Sequence, residues 1–184
     1  MNRLKNVTLI SALLEKLGQN GSWCGETHIQ KATYLLKELT HVPIDYEFIL
    51  YKHGPFSFDL RDELTAMCAD GLLEMRSRKA FYGPTLVCTQ QSEGLRERYP
   101  VTLKKYEKHM NFVAENVGNK PVSELEKIST ALYVIREQGC GEIMQLAQNL
   151  NVLKPHIPLE EAENAIEAVK KMLSESEDLQ ANAC

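Results

Sequence analysis

Leu4, Val7, Ile10, Leu14 and Leu17 stand three or four positions apart and predict one apolar face of a helix over residues 3–17, which the glycines at 18, 21 and 25 end. A second helix is predicted over ETHIQKATYLLKELT, with Ile29, Ala32, Leu36 and Leu39 on one stripe, Leu35 beside it, and Pro43 closing the segment. YEFILY has the aromatic and β-branched character of a strand, broken by His53-Gly54-Pro55. A third helix follows from Ser57 or Asp59, either of which can cap it, to Gly71, with Leu60, Leu64 and Met67 turned inward. LLEMRSR and PTLVCT then read as two strands joined by a basic loop from Arg76 to Pro84, and residues 92–117 as helix broken near Pro100.

Helix, helix, helix, strand, loop, strand is the order of a winged helix, here with an extra strand between its second and third helices. The run Val117-Gly118-Asn119-Lys120-Pro121 is the best boundary, because Gly and Pro punctuate it and the charge changes across it. Residues 1–120 carry 16 Lys/Arg against 14 Asp/Glu, whereas residues 121–184 carry 5 against 11. The second half reads as three helices. Pro121 opens one with a Ser123…Glu126 capping box, one lies around Glu142–Leu150, and one follows Pro158 with Ala162, Ile166, Val169 and Leu173 on a stripe. The tail beyond Ser174, SESEDLQANAC, has the composition of a disordered segment. The expected fold class is therefore α+β and mainly helical. A winged-helix-like module with a small antiparallel β element spans 1–117, an acidic helical region over 121–174 packs on it, and 175–184 form a disordered tail.

With 184 residues, 43% of them hydrophobic, the chain is long enough to bury a core without disulfides. A net charge of −4 argues against a general nucleic-acid coat, and no apolar run approaches the roughly 20 residues that span a bilayer. Glu15 and Lys16 interrupt the amphipathic N-terminus, which reads as the first helix of the fold rather than an export signal. Five cysteines, an odd number without CxxC spacing, suit reduced thiols and a cytoplasmic location. Cys24 and His28 are four apart, but no second close pair completes a structural zinc set, so neither metal nor cofactor is expected.

Candidate chemistry is sparse. On a helical wheel Tyr34 falls about 140° from Ile29, opposite the apolar stripe, so it is covered by the C-terminal helices or faces a partner. The third helix, where a winged helix reads DNA, carries Asp59, Asp62, Glu63 and Asp70 against Arg61 alone, which repels phosphate. Only the loop cations Arg76, Arg78 and Lys79 keep DNA in play, as a nucleic-acid wing. Tyr51-Lys52-His53-Gly54-Pro55-Phe56-Ser57 reads as a strand-to-helix connector that projects Lys52 and His53 as a recognition surface; a histidine there could also do acid–base chemistry. GxSxG, HExxH, Walker and GxGxxG signatures are absent, so no enzymatic activity is expected.

The segments GETHIQKATYLLKEL, FILYKHGPFSFDLRDEL and DGLLE resemble the core of the Panacea, or SocA-type antitoxin, superfamily, and especially its YwgA-like members. That family shares a helix reading roughly LQKxxYLL, then a strand ending in YGP and a serine before the next helix. This chain has Gln30-Lys31 with Tyr34-Leu35-Leu36, then Tyr51, Gly54-Pro55 and Ser57, with Lys52-His53 inserted between the tyrosine and the glycine. LEKISTALYVI and LKPHIPLEEAENAI are similar to the group's second helical region. The resemblance implies a winged-helix-like, non-catalytic module that binds another protein, a toxin or regulatory partner, in a toxin–antitoxin, phage-defence or stress setting. Gln30, Lys31, Tyr34, Tyr51, Lys52, His53, Gly54, Pro55 and Ser57 are the candidate partner-binding residues. A DNA-binding regulator is the alternative, and whether the chain acts alone or as a homodimer stays open.

Overall fold

The computed structural model describes residues 2–78, 83–139 and 141–181. These form, in chain order, α1 (Arg3–Gln19), α2 (Glu26–Thr40), β1 (Ile49–Tyr51), β2 (Gly54–Phe56), α3 (Phe58–Ala69), β3 (Leu73–Arg76), β4 (Thr85–Cys88), α4 (Gln90–Arg98), α5 (Pro100–Val117), α6 (Val122–Gln138), α7 (Ile143–Leu153) and α8 (Leu159–Ala181). The protein is mainly helical, with two separate antiparallel pairs, β1–β2 and β3–β4.

α1 and α2 lie at the centre. α1 buries Val7, Leu9, Ile10, Leu13 and Leu17 and also Asn6, Thr8 and Ser11 on its other sides. The Thr8 and Ser11 hydroxyls tolerate this because they donate to the carbonyls of Leu4 (2.7 Å) and Thr8 (2.9 Å). Leu4, expected inside, is 45% exposed, because the first turn of α1 meets α3 through Arg3 instead. α5 packs on α1 and α2, while α6 and α8 pack on the remaining side of α2. α5 ends at Val117 and α6 begins at Val122, and the residues before and after this link close over one continuous apolar core.

Three local expectations are corrected. YEFILY forms a strand only over Ile49–Tyr51, and the chain then reverses at Lys52-His53 into a second strand rather than a plain connector, with Ile49↔Phe56, Leu50↔Pro55 and Tyr51↔Gly54 in register. Gly54 permits this at φ +85°. Pro55, which has no N–H, sits where the antiparallel pattern exchanges no hydrogen bonds, so the ladder loses nothing to it. The Ser123…Glu126 capping box does not form: Pro121 is the N-cap of α6, no side chain caps it, and Glu126 is drawn into the interior. The tail is ordered helix through Ala181, because Ser176 is buried and donates to the carbonyls of Leu39 (2.9 Å) and Leu173 (2.8 Å), which fastens α8 to the end of α2.

Candidate functional site

The YKHGPFS stretch is the β1–β2 hairpin, and buried polar groups fix it from beneath. The Gln30 amide of α2 imitates a strand neighbour, donating from Nε2 to Ser57 O (2.9 Å) and accepting at Oε1 from Ser57 N (3.0 Å). Ser57 in turn caps α3, its hydroxyl accepting from Leu60 N (3.2 Å). Lys31 Nζ donates to Pro55 O (2.7 Å), and Lys154, at the end of α7, donates to Tyr51 O and Lys52 O (2.6 Å each). Gly54 lies so close to α6 that a Cβ there would stand 2.9 Å from Thr130 Oγ1 and 3.2 Å from Ser129 Oγ.

Glu126 of α6 is the counter-charge under this turn. Its Oε1 lies 3.8 Å from Lys154 Nζ and 3.3 Å from His156 Nε2, and its Oε2 lies 3.7 Å from His53 Nδ1. Oε1 makes no hydrogen bond, so charge holds the carboxylate in place. Lys31 and Lys154 are both buried beside it. Two buried ammonium groups share one carboxylate, and a group so desolvated resists charging. Burial pulls the Lys31 pKa down to about 8, Lys154 adds to the effect, and Glu126 opposes it.

That depression has a measurable consequence. Between about pH 8 and 10.5 the unfolded chain holds a proton on Lys31 that the folded chain has released, so stability rises with pH across this window. Burial raises the Cys24 and Cys88 thiols and therefore acts in the opposite direction at alkaline pH, so the comparison with Lys31→Met isolates the lysine. In urea unfolding at pH 7.5 and 9.5, wild type is expected to gain roughly 2 kcal/mol relative to Lys31→Met. A difference that stays flat between the two pH values would remove the buried ammonium from this account.

The structure divides the predicted residues in two. Gln30, Lys31, Tyr34, Gly54, Pro55 and Ser57 are buried, so their expected role as contact residues is corrected: they position the hairpin and do not reach a partner. Tyr34 does lie off the main stripe, but α6 and α8 cover that side of α2, and its ring packs edge-on against Phe48 at 5.2 Å. Burial pushes its hydroxyl pKa up, with Glu38 and Tyr133 adding to the effect. Tyr51, Lys52 and His53 are exposed.

The outer face of the hairpin is aromatic. Tyr51 and Phe56 (5.8 Å), Tyr51 and Phe58 (5.6 Å) and Phe56 and Phe58 (5.2 Å) form a mutually packed triplet, beside Ile49. Ile49, Tyr51 and Phe58 are 50%, 53% and 40% exposed, and the Arg61 guanidinium lies 5.1 Å from the centre of the Phe58 ring. Phe56 and Phe58 escaped the sequence reading, although their alternation about Ser57 is a face signal. Glu126, Lys154 and His156 had no local signal, because they meet the turn only through the packing of α6 and α7.

The charges elsewhere are partly compensated. Arg3 pairs with Glu63 and Asp70 at 2.8 Å each, so the acidic tally of α3 needed a cation from α1. Asp59 and Asp62 remain exposed, Asp62 beside Arg61. On the wing, Arg76 pairs with Glu74 (3.2 Å) and the Arg78 guanidinium lies over Trp23 (4.9 Å); Lys79 lies outside the described residues. Cys24 is buried with its thiol 3.5 Å from Leu14 O, while His28 Nε2 meets Val117 O at 3.0 Å. Among the described residues no helix is long and apolar enough to cross a membrane. A scan of the chain against protein-family models finds no match, and a search of curated proteins finds none either.

Proposed function

We propose that this chain is a non-catalytic protein-binding module that docks a partner protein on the outer face of the β1–β2 hairpin, in the manner of the SocA-type antitoxins its motifs resemble. The observation that carries the reading is a packed aromatic triplet, exposed Tyr51 and Phe58 with half-buried Phe56, on a turn held rigid from below by Gln30, Lys31 and Lys154. Exposed aromatic anchors flanked by charge, on a scaffold that loses little freedom on binding, are what interface hot spots require. Lys52 and His53 at the tip and Asp59 and Asp62 beyond Phe58 supply the charged rim. We read α1–α3 followed by β3–β4 as a winged-helix variant in which this hairpin fills the turn before α3. DNA binding through Arg76, Arg78 and Lys79 is the weaker alternative, since Asp59 and Asp62 face outward on α3 and Arg76 has an internal partner.

The test is affinity capture from the native cell, followed by reconstitution of the captured complex from purified components. Phe58→Ala/His53→Ala is expected to weaken the reconstituted complex roughly tenfold or more without lowering thermal stability by more than a few degrees. Equal affinity for wild type and the double variant would sink the site. Retardation of DNA by wild type at low salt, abolished by Arg76→Ala/Arg78→Ala, would replace the reading with the regulator.

A further inference from the structure

β1 is paired with β2 on one side and, among the described residues, with no strand on the other. Because Leu50↔Pro55 is the pair that exchanges no hydrogen bonds, the N–H and C=O of Leu50 point away from β2, toward that open side. A strand edge without a paired neighbour and with exposed apolar side chains is a template for a further strand. Ile49 and Tyr51 flank Leu50 on the outer face, and Glu47, also exposed, precedes them.

The geometry points to a second copy of this chain as the occupant, its β1 paired antiparallel with the first about a two-fold axis at Leu50. The segment Glu47-Phe48-Ile49-Leu50-Tyr51-Lys52-His53 is complementary to itself in that register. Leu50 faces Leu50 of the second copy and exchanges both backbone bonds with it. Ile49 faces Tyr51 of the second copy, a β-branched and aromatic pair of the kind that stabilises antiparallel ladders, and the symmetry makes this pair twice. Glu47 arrives beside the basic Lys52-His53 turn of the second copy, again twice. Neighbouring registers lack these matches. An axis at Ile49 sets Tyr51 against Glu47, and an axis at Tyr51 sets Ile49 against His53. The product is a four-stranded sheet ordered β2–β1–β1–β2 that places two aromatic triplets side by side. This goes beyond the hairpin-face reading, because it uses the strand edge of β1 and leaves Phe58 on the face.

Sedimentation velocity over a concentration series tests it. Wild type is expected to dimerise reversibly, and Ile49→Lys to raise the dimer dissociation constant roughly tenfold or more. Met75→Lys, an equally exposed position on β3, is expected to leave it unchanged. Glu47→Lys and Lys52→Glu are each expected to weaken self-association, and an equimolar mixture of the two to recover it as a heterodimer, since both charge pairs are then restored. A wild type that stays monomeric, a dimer indifferent to Ile49→Lys, or a mixture no tighter than its components would overturn the inference. The face reading is untouched by those outcomes: its own failure is equal partner affinity for Phe58→Ala/His53→Ala.

Discussion

Glu126→Gln is expected to destabilise the fold by about 3 kcal/mol at pH 6.5 and by roughly half that at pH 9. Glutamine keeps the shape of the side chain and removes only its charge. What it leaves behind is Lys154, 3.8 Å away, and Lys31, both buried, with Lys31 protonated at the lower pH. Breaking a buried pair by removing one partner typically costs 3–5 kcal/mol, because the remaining charge has no compensation. The loss sits at the lower end here, since the carboxylate's own desolvation disappears with it. Glu126 favours the charged form of Lys31, so in the variant this lysine gives up its proton more readily still. By pH 9 it is neutral in the fold, and less charge is left uncompensated. Glu124→Gln is the matched control: its ion pair with Lys120 is partly solvated, and its loss should stay within about 0.5 kcal/mol. Urea unfolding of the three proteins at both pH values measures this. An Glu126→Gln penalty that is the same at pH 6.5 and 9 would mean that the lysines do not depend on the carboxylate.

How much of this was legible in the sequence follows from the range of each signal. The bounds of α2, the β3 and β4 strands and the break near Pro100 are set by neighbours a few positions away and were read from periodicity and punctuation, and Ser57 was one of the two α3 caps so offered. The second strand of the first hairpin was not so read, because Pro55 reads as a breaker unless it sits at a position that exchanges no hydrogen bonds with β1, and that register is set only by the pairing itself. Ser123 and Glu126 have capping-box spacing, but tertiary charge draws Glu126 away from its own helix end. The acidic tail is helical because one buried serine, Ser176, fastens it to Leu39. The candidate site was half legible. The motif residues do converge on one hairpin, yet a single sequence cannot distinguish a residue that touches a partner from one that holds the residue that does. Burial makes that distinction, and it assigns Gln30, Lys31, Gly54, Pro55 and Ser57 to the second kind.

Gly54→Ala gives the other large effect, about 3 kcal/mol of stability and a fall in Tm of roughly 6–12 °C for a chain of this length. Two costs add. Holding a non-glycine residue at φ +85° costs about 1 kcal/mol or more, and the new Cβ meets Thr130 Oγ1 at 2.9 Å and Ser129 Oγ at 3.2 Å. Relieving the contact means lifting the turn, which strips Lys154 and Lys31 of the carbonyls they hold. Gly21→Ala separates the two costs: its φ is +91°, but a Cβ there finds Asn119 at an ordinary 3.5 Å, so only the backbone part, about 1 kcal/mol, is expected. Thr130→Ala tests the contact directly. Thr130 Oγ1 is buried without a hydrogen-bond partner, so its removal alone should be nearly neutral. In the Gly54→Ala background the same change opens room for the Cβ and should restore about 1 kcal/mol, a coupling that a double-mutant cycle resolves. Strict additivity of the two substitutions would show that the hairpin does not rest on α6 at this point, and the rigid presentation of Tyr51, Lys52 and His53 would then need another source.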